Sequence, residues 1–455
     1  MARESPQVGL AGAVLLALAA ASPGFSQPVQ QQPVTVVTED VERAYDAAFQ
    51  EMLRRPADLD VLFKFANLAV RTGDLEGAIS VLERMLLIDA NLPRVRLELG
   101  VLYFRLGSFE TARTYLQSAL ATPGIPDDVR ARAQQFLAEV EARQSPSQLS
   151  AEIFAGLRYQ SSANLGPTSQ NIRLFGLPAT LSANAVGTAD WGAIGSLQVR
   201  HFYDFGAQHK AGLETVFTSF ATRQFQVRTS NLSLLEITTG PRFAVFPGSF
   251  EDFSVRPFLT AGHLWVNDVP YYASWGTGIE YAVLLAEGLR HNANFAVRRH
   301  EHDDQPTLPT NGQFRGTEYA VTTGLQYQLT DMISLQLSGG YTRYLARVDW
   351  QSYTMWSVGA GLAFRVPVPL FYEDGHWTFS IGVTKQWWSY DRPDVTVDPN
   401  TMRTQDDTIL NLSVGIPLDD RKTFVWSAGR HLRAASLPNY KFINDSTLVG
   451  VSFRF

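Results

Sequence analysis

Ser334-Leu335-Gln336-Leu337-Ser338 alternates polar and apolar side chains, and so do Ser196-Leu197-Gln198-Val199-Arg200 and Asn411-Leu412-Ser413-Val414-Gly415. A period of two belongs to a strand with one oily and one watery side. After Gln148 such runs recur to the carboxy terminus, at about 149–162, 189–205, 209–225, 232–246, 254–266, 272–286, 289–302, 315–328, 333–348, 353–366, 377–390, 406–416, 422–435 and 442–455. Ten or so slanted residues cross a bilayer as a strand, and single-chain bacterial barrels use an even number of strands. The expected fold is membrane all-β: a 14-stranded antiparallel transmembrane β-barrel over 149–455.

Alternation alone also fits a soluble sandwich, so the aromatics decide. Trp265, Trp275, Tyr281, Tyr319, Tyr327, Trp356, Trp377 and Trp387 stand near strand ends on the apolar face, where two girdles meet the lipid–water boundaries. The other face carries small polar residues and isolated charges: Arg200, Glu214, Glu236, Arg242, Arg256, Glu280, Arg290, Arg298, Glu318 and Arg365. These are expensive against lipid and at ease in a wet lumen. Even-numbered connections are mostly tight and the first, seventh and eleventh are long, near 163–188, 303–314 and 391–405. Short turns face the periplasm in this class. The tenth, Pro367 to His376, is a longer exception. The chain ends Val449-Gly-Val451-Ser-Phe453-Arg-Phe455, whose alternation and terminal Phe, with Phe453, look like the signal read by barrel assembly machinery.

Upstream the period becomes 3.6, and the segment matches itself at an offset of 34: Leu68 with Leu102, Gly73 with Gly107, Ala78 with Ala112 and Leu82 with Leu116. That is the tetratricopeptide (TPR) period, so a small helical TPR-like domain is expected over 41–146, with capping helices at Val41–Arg55 and Pro126–Arg143. Phe63, Asn67, Val70, Arg71, Leu97, Val101, Phe104 and Arg105 are its candidate client-binding groove. Residues 1–26 read as a signal peptide and 27–40 as an extended leader. The helical domain would then lie in the periplasm and the barrel in the outer membrane, in contact with its lipid.

Composition excludes other classes. Lys+Arg 38 against Asp+Glu 44 gives −6, without the basic excess that nucleic acid demands. With no Cys there is no disulfide, thiolate metal site or Cys nucleophile. G-x-S-x-G, H-E-x-x-H and P-loop motifs are missing from the sequence, so neither an enzyme nor a cofactor is expected. His291, His300 and His302 cluster in sequence, where the residue types allow a metal site but a solvated loop edge is the expectation.

The order of parts resembles the surface lipoprotein assembly modulator (Slam) family. The likeness is carried by Pro93 to Gly100, Gly107 to Ala112 and Val129 to Leu137, leading into a first strand and Arg158-Tyr-Gln-Ser-Ser-Ala-Asn164-Leu-Gly-Pro167. The resemblance implies that the periplasmic repeats receive a lipoprotein or other exported protein and that the barrel helps deliver it to the surface. A TPR-barrel exopolysaccharide exporter shares this order and is the alternative. Such a conduit favours a one-signed lumen, whereas from Leu149 onward Lys+Arg is 24 and Asp+Glu 26.

Overall fold

The computed structural model describes residues 39–207, 211–245, 253–306, 308–368 and 375–455. The expected signal peptide, nearly all of the leader and most of the tenth connection lie outside them. The chain divides into two compact units between Gln148 and Leu149.

Among the described residues the first unit holds six helices: α1 (Glu39–Arg54), α2 (Leu59–Thr72), α3 (Leu75–Ile88), α4 (Pro93–Arg105), α5 (Phe109–Leu120) and α6 (Asp127–Gln144). Asp58 caps α2 by accepting from the Asp60 and Val61 N–H groups, and Asp74 caps α3 through Gly77. Gly73 and Gly107, one period apart, take positive φ (86° and 74°) where each first helix of a hairpin ends, a conformation that costs other residues a Cβ clash. Ala78 and Leu82 on α3 pack with Leu62, Phe65 and Ala69 on α2. Their counterparts Ala112 and Leu116 on α5 pack with Leu97, Val101, Val129 and Ala133. A Cβ on Gly100 would lie 2.6 Å from Leu116 Cγ, so this glycine sets how closely α4 and α5 approach. The repeat also places like positions in register, where Arg94 donates to Asp128 at 2.7 Å and Arg132 to Glu98 at 3.0 Å, each 34 residues apart.

The second unit has strands β1 (Ser147–Gln160), β2 (Asn171–Leu174), β3 (Leu177–Thr180), β4 (Asp190–Asp204), β5 (Gly212–Gln224), β6 (Leu232–Ala244), β7 (Ser254–Val266), β8 (Val269–Ala286), β9 (Leu289–Glu301), β10 (Gly316–Thr330), β11 (Ile333–Ala346), β12 (Tyr353–Pro367), β13 (His376–Tyr390), β14 (Thr404–Pro417), β15 (Lys422–Ala435) and β16 (Phe442–Arg454). Fourteen of them close a barrel in chain order, and β2–β3 is a hairpin inside the long first connection. The fold expected from alternation, a helical repeat unit followed by a 14-stranded antiparallel barrel, is the fold observed. At the long-loop end one connection is minimal: Asn267 and Asp268, both at positive φ (51° and 59°), turn β7 into β8.

Ion pairs identify the inner face. Glu214 on β5 meets Arg256 on β7, and Arg242 on β6 meets Glu280 on β8. Strands two apart can touch only on the concave side. The outward positions are apolar and exposed, for example Trp356, Val358, Ile381, Val383, Leu410 and Leu412. Trp275, Tyr319, Trp356 and Trp387 lie outward toward the long loops, and Tyr281, Tyr327 and Trp377 toward the short turns. Register also places a belt of outward ion pairs near the long loops: Arg223–Asp268, Arg299–Glu301, Arg343–Asp391, Lys385–Asp406 and Arg430–Asp445. Between this belt and the short turns, the only outward Asp, Glu, Lys or Arg on the described strands is Lys422, the first residue of β15.

The barrel closes where β1 pairs with β16, from Glu152↔Arg454 to Gln160↔Ser446. The terminal residue extends this seam, since Phe455 N–H donates to Ala151 O at 2.9 Å and Ala151 N–H to Phe455 O at 3.1 Å. Deleting Phe455 removes both bonds and the terminal aromatic. The heat-modifiable, folded fraction in the membrane is expected to fall severalfold on gels; an unchanged fraction would refute an assembly role for this residue.

Candidate functional site

All ten charged residues expected in the lumen fall on the inward face. On β4 to β10 most of them fall into two ion-pair networks. Glu214 is held by Arg200 at 3.0 Å, by Arg242 and, at 3.6 Å, by Arg256; Glu280 is held by Arg242 and, at 3.0 Å, by Arg256. Higher up, Arg298 lies 3.6 Å from Glu236 and 3.7 Å from Glu318. Arg365 stands apart, exposed near the short-turn rim of β12. Across the bore, β11 to β15 present Ser338, Gly340, Gly359, Gly382, Ser413 and Gly429, small side chains that leave width. Fourteen strands enclose more room than side chains fill, and here one wall is lined with guanidinium and carboxylate while the other is nearly bare.

Burial changes along the bore. On β12 Arg365 is exposed, Gly361 half-buried, and Met355 and Tyr353 buried; on β14 Asn411 is exposed and Asp407 fully buried. At that level each of the fourteen strands contributes a buried inward residue, among them Gln160, Phe220, Leu264, Tyr344, Trp388 and Phe442. Among the described residues the long-loop end is therefore filled while inward side chains toward the short-turn end are exposed, so the bore is a blind vestibule on that side. Asp407 and Arg433 anchor the fill with a pair of 2.6 Å hydrogen bonds.

Loops cover the fill. The β2–β3 hairpin docks on the eleventh connection through Phe175 N–H to Thr396 O and Gly176 N–H to Val397 O, both 2.9 Å. Arg173 reaches the buried Asp398 at 2.5 Å, and Asn439 bonds both backbone groups of Arg173. Arg403 lies between Tyr390 and Tyr440, 4.1 and 3.6 Å from their ring centroids. The Asn400 backbone N–H first, and then Arg173, hold the Asp398 carboxyl below its usual 3.8.

Several expected sites move. Leu97 and Val101 are not groove residues; they are buried in the core between α4, α5 and α6. Phe63, Val70 and Phe104 are half-buried against the helical cores, which leaves Asn67, Arg71 and Arg105 exposed. His300 and His302 are not a solvated loop edge. Both are buried among Tyr271, Tyr272, Tyr344 and Phe314, because the inward register of β9 continues past its end. His291 faces away from them, outward between Tyr281 and Thr323. Among the described residues no three His, Asp or Glu are grouped to hold a metal. The outward belt and the Asp407–Arg433 pair were not anticipated, although strand parity alone places each of them.

Residues 66–136 match a tetratricopeptide repeat family. No curated protein matches the chain. Among solved structures, MamA is 24% identical over 22% of this chain and 57% of its own, with a TM-score of 0.21, so the chain spans little more than half of that relative. The Yersinia enterocolitica type III secretion chaperone SycD, in complex with a peptide of the translocator YopD, is 13% identical over 24% of this chain and 98% of its own, at 0.20. A bacterial polysaccharide outer membrane secretin is 10% identical over 67% and 98%, at 0.36. At these scores none of the three bears on function.

Two outcomes test this site. Arg433→Met removes both 2.6 Å bonds from buried Asp407 and leaves it only His431, 3.6 Å away; breaking a buried pair costs about 3–5 kcal/mol, so the unfolding midpoint of the detergent-held barrel is expected to drop, and an unshifted midpoint would contradict the pairing. Because the folded Asp398 carboxyl sits below 3.8, its stabilisation of the cap is present above that pH and lost as pH falls below it. Hydrogen-exchange protection of the 171–180 amides should persist at neutral pH, fall in stronger acid, and already be reduced at neutral pH in Arg173→Ala.

Proposed function

We propose that this chain is an outer-membrane export factor whose helical repeats, in the periplasm, receive an exported polypeptide and whose barrel passes it toward the cell surface, lipoproteins being the intended clients. The observation that carries this is the blind vestibule: a wide bore, charged on one wall and bare on the other, reached from the end at which the chain enters β1 two residues after α6. A bore filled at its far end suits regulated hand-over rather than free diffusion.

The outward face supports the membrane reading, with an apolar band between aromatic belts. Helix-hairpin repeats hold extended segments by groove shape, and Asn67, Arg71 and Arg105 stay exposed for that purpose. The near-equal charge of the barrel favours a polypeptide over a uniformly charged polysaccharide. The machine works by binding and passage, without covalent chemistry, a metal or a cofactor.

Deleting residues 38–146 should leave a barrel that inserts at normal levels but no longer exposes its lipoprotein client, read by protease shaving of intact cells. Undiminished surface exposure would overturn the receptor role. Loss of a capsule-like polymer with intact lipoprotein display would favour the polysaccharide alternative.

A further inference from the structure

The outward charges are confined to one end of the barrel, and there they adjoin a groove. Beneath the belt, the short side chains of Thr277 and Thr317 leave a depression of about 470 Å³ flanked by Leu259, Trp275, Val297 and Arg299. Leu259 and Trp275 are both more than half exposed on this outward wall (64% and 52%). Register explains the shape: Trp275, Arg299 and Thr317 are successive partners across β8, β9 and β10, while Leu259, Thr277 and Val297 form the next row below. The lower row is apolar apart from one hydroxyl. The upper row ends in a guanidinium.

Above the groove the charges form a connected cluster. Arg299 Nε donates to Glu301 at 2.8 Å and its Nη1 to Thr317 at 3.3 Å; Arg315 lies 2.7 Å from Glu301 and 2.8 Å from Asp303. A guanidinium carries five N–H donors, and Arg299, 40% exposed, uses only part of its set in these bonds. Two arginines thus share Glu301, and Asp303 faces solvent at 74% exposure.

We propose that this groove is a lipid seat for a phosphorylated, multiply acylated glycolipid of the leaflet at the long-loop end, with an acyl chain along Leu259, Trp275 and Val297 and a phosphate at Arg299 and Arg315. The inference rests on the membrane reading above but not on any client. An apolar trough topped by paired guanidinium groups matches a ligand with an acyl tail and an anionic head, and arginine suits phosphate by its fork geometry. The leaflet follows from asymmetry: on the described strands the opposite end of the outward face offers Lys422 alone, so the belt faces one leaflet.

The test is native mass spectrometry of the full chain folded in detergent, with lipid A, phosphatidylglycerol and phosphatidylcholine as separate probes. Lipid A should be retained over both phospholipids, and Arg299→Gln with Arg315→Gln should cut its retention about tenfold. Trp275→Ala should weaken it by removing the trough wall, and Asp303→Asn should strengthen it by removing a repelling carboxylate. Trp275 and Arg299 face outward by register and Asp303 and Arg315 lie beyond the strand ends, so heat modifiability verifies that each variant is folded. Equal retention of either phospholipid, or lipid A retention unchanged in the double arginine variant, would overturn the proposal. Lipid retention without client delivery would leave the seat standing and count only against the export reading.

Discussion

Every strand edge in the barrel is paired, and this closure is the condition on which the rest depends. Backbone N–H and C=O groups facing hydrocarbon have no water to bond, so an open sheet cannot stand in lipid. The β1–β16 seam closes the sheet with backbone bonds that run to the last residue. Once closed, the period of two becomes an inside and an outside, and each side chain is committed to bore or surface by parity alone. That is why Glu214, Arg242, Arg256 and Glu280, on four different strands, meet in one network.

The helical unit obeys a different repeat with a comparable consequence. A period of 34 brings Gly73 and Gly107 to equivalent turns and sets Arg94 over Asp128 and Glu98 over Arg132. These exposed pairs contribute little stability individually. They tie α4 to α6 across one repeat length.

The sequence was most legible where one periodicity leaves one choice. Strand positions, the inward charges and the aromatic belts all follow from parity. It was least legible where an element has two apolar sides or runs past its apparent end. Leu97 and Val101 lie on a helix packed on more than one side, so their spacing cannot separate core from groove. His300 and His302 looked like loop residues because charged neighbours surround them, yet the inward register persists and aromatic rings bury them. The outward belt was missed for a third reason. A charge on the lipid side is costly only within the hydrocarbon, and strands of up to 18 residues extend beyond it.

The filled end and the charged wall constrain each other. Arg256 and Glu214 are nearly buried, and such charges persist only when each is held by several partners. Their network is satisfied across five strands on one side of the bore, so it does not need the opposite wall, which is free to stay small and open. At the long-loop end the fill draws on all fourteen strands and cannot clear from one side alone. On the export reading proposed above, a polypeptide entering from the short-turn end would meet the charged wall and then a barrier that must rearrange. The parts of that barrier tied by few bonds are the loops, above all the β2–β3 hairpin on its Arg173–Asp398 contact. Any passage through the bore would thus begin with the loops and only then reach the aromatic fill, whereas a route along the outer wall would leave both in place.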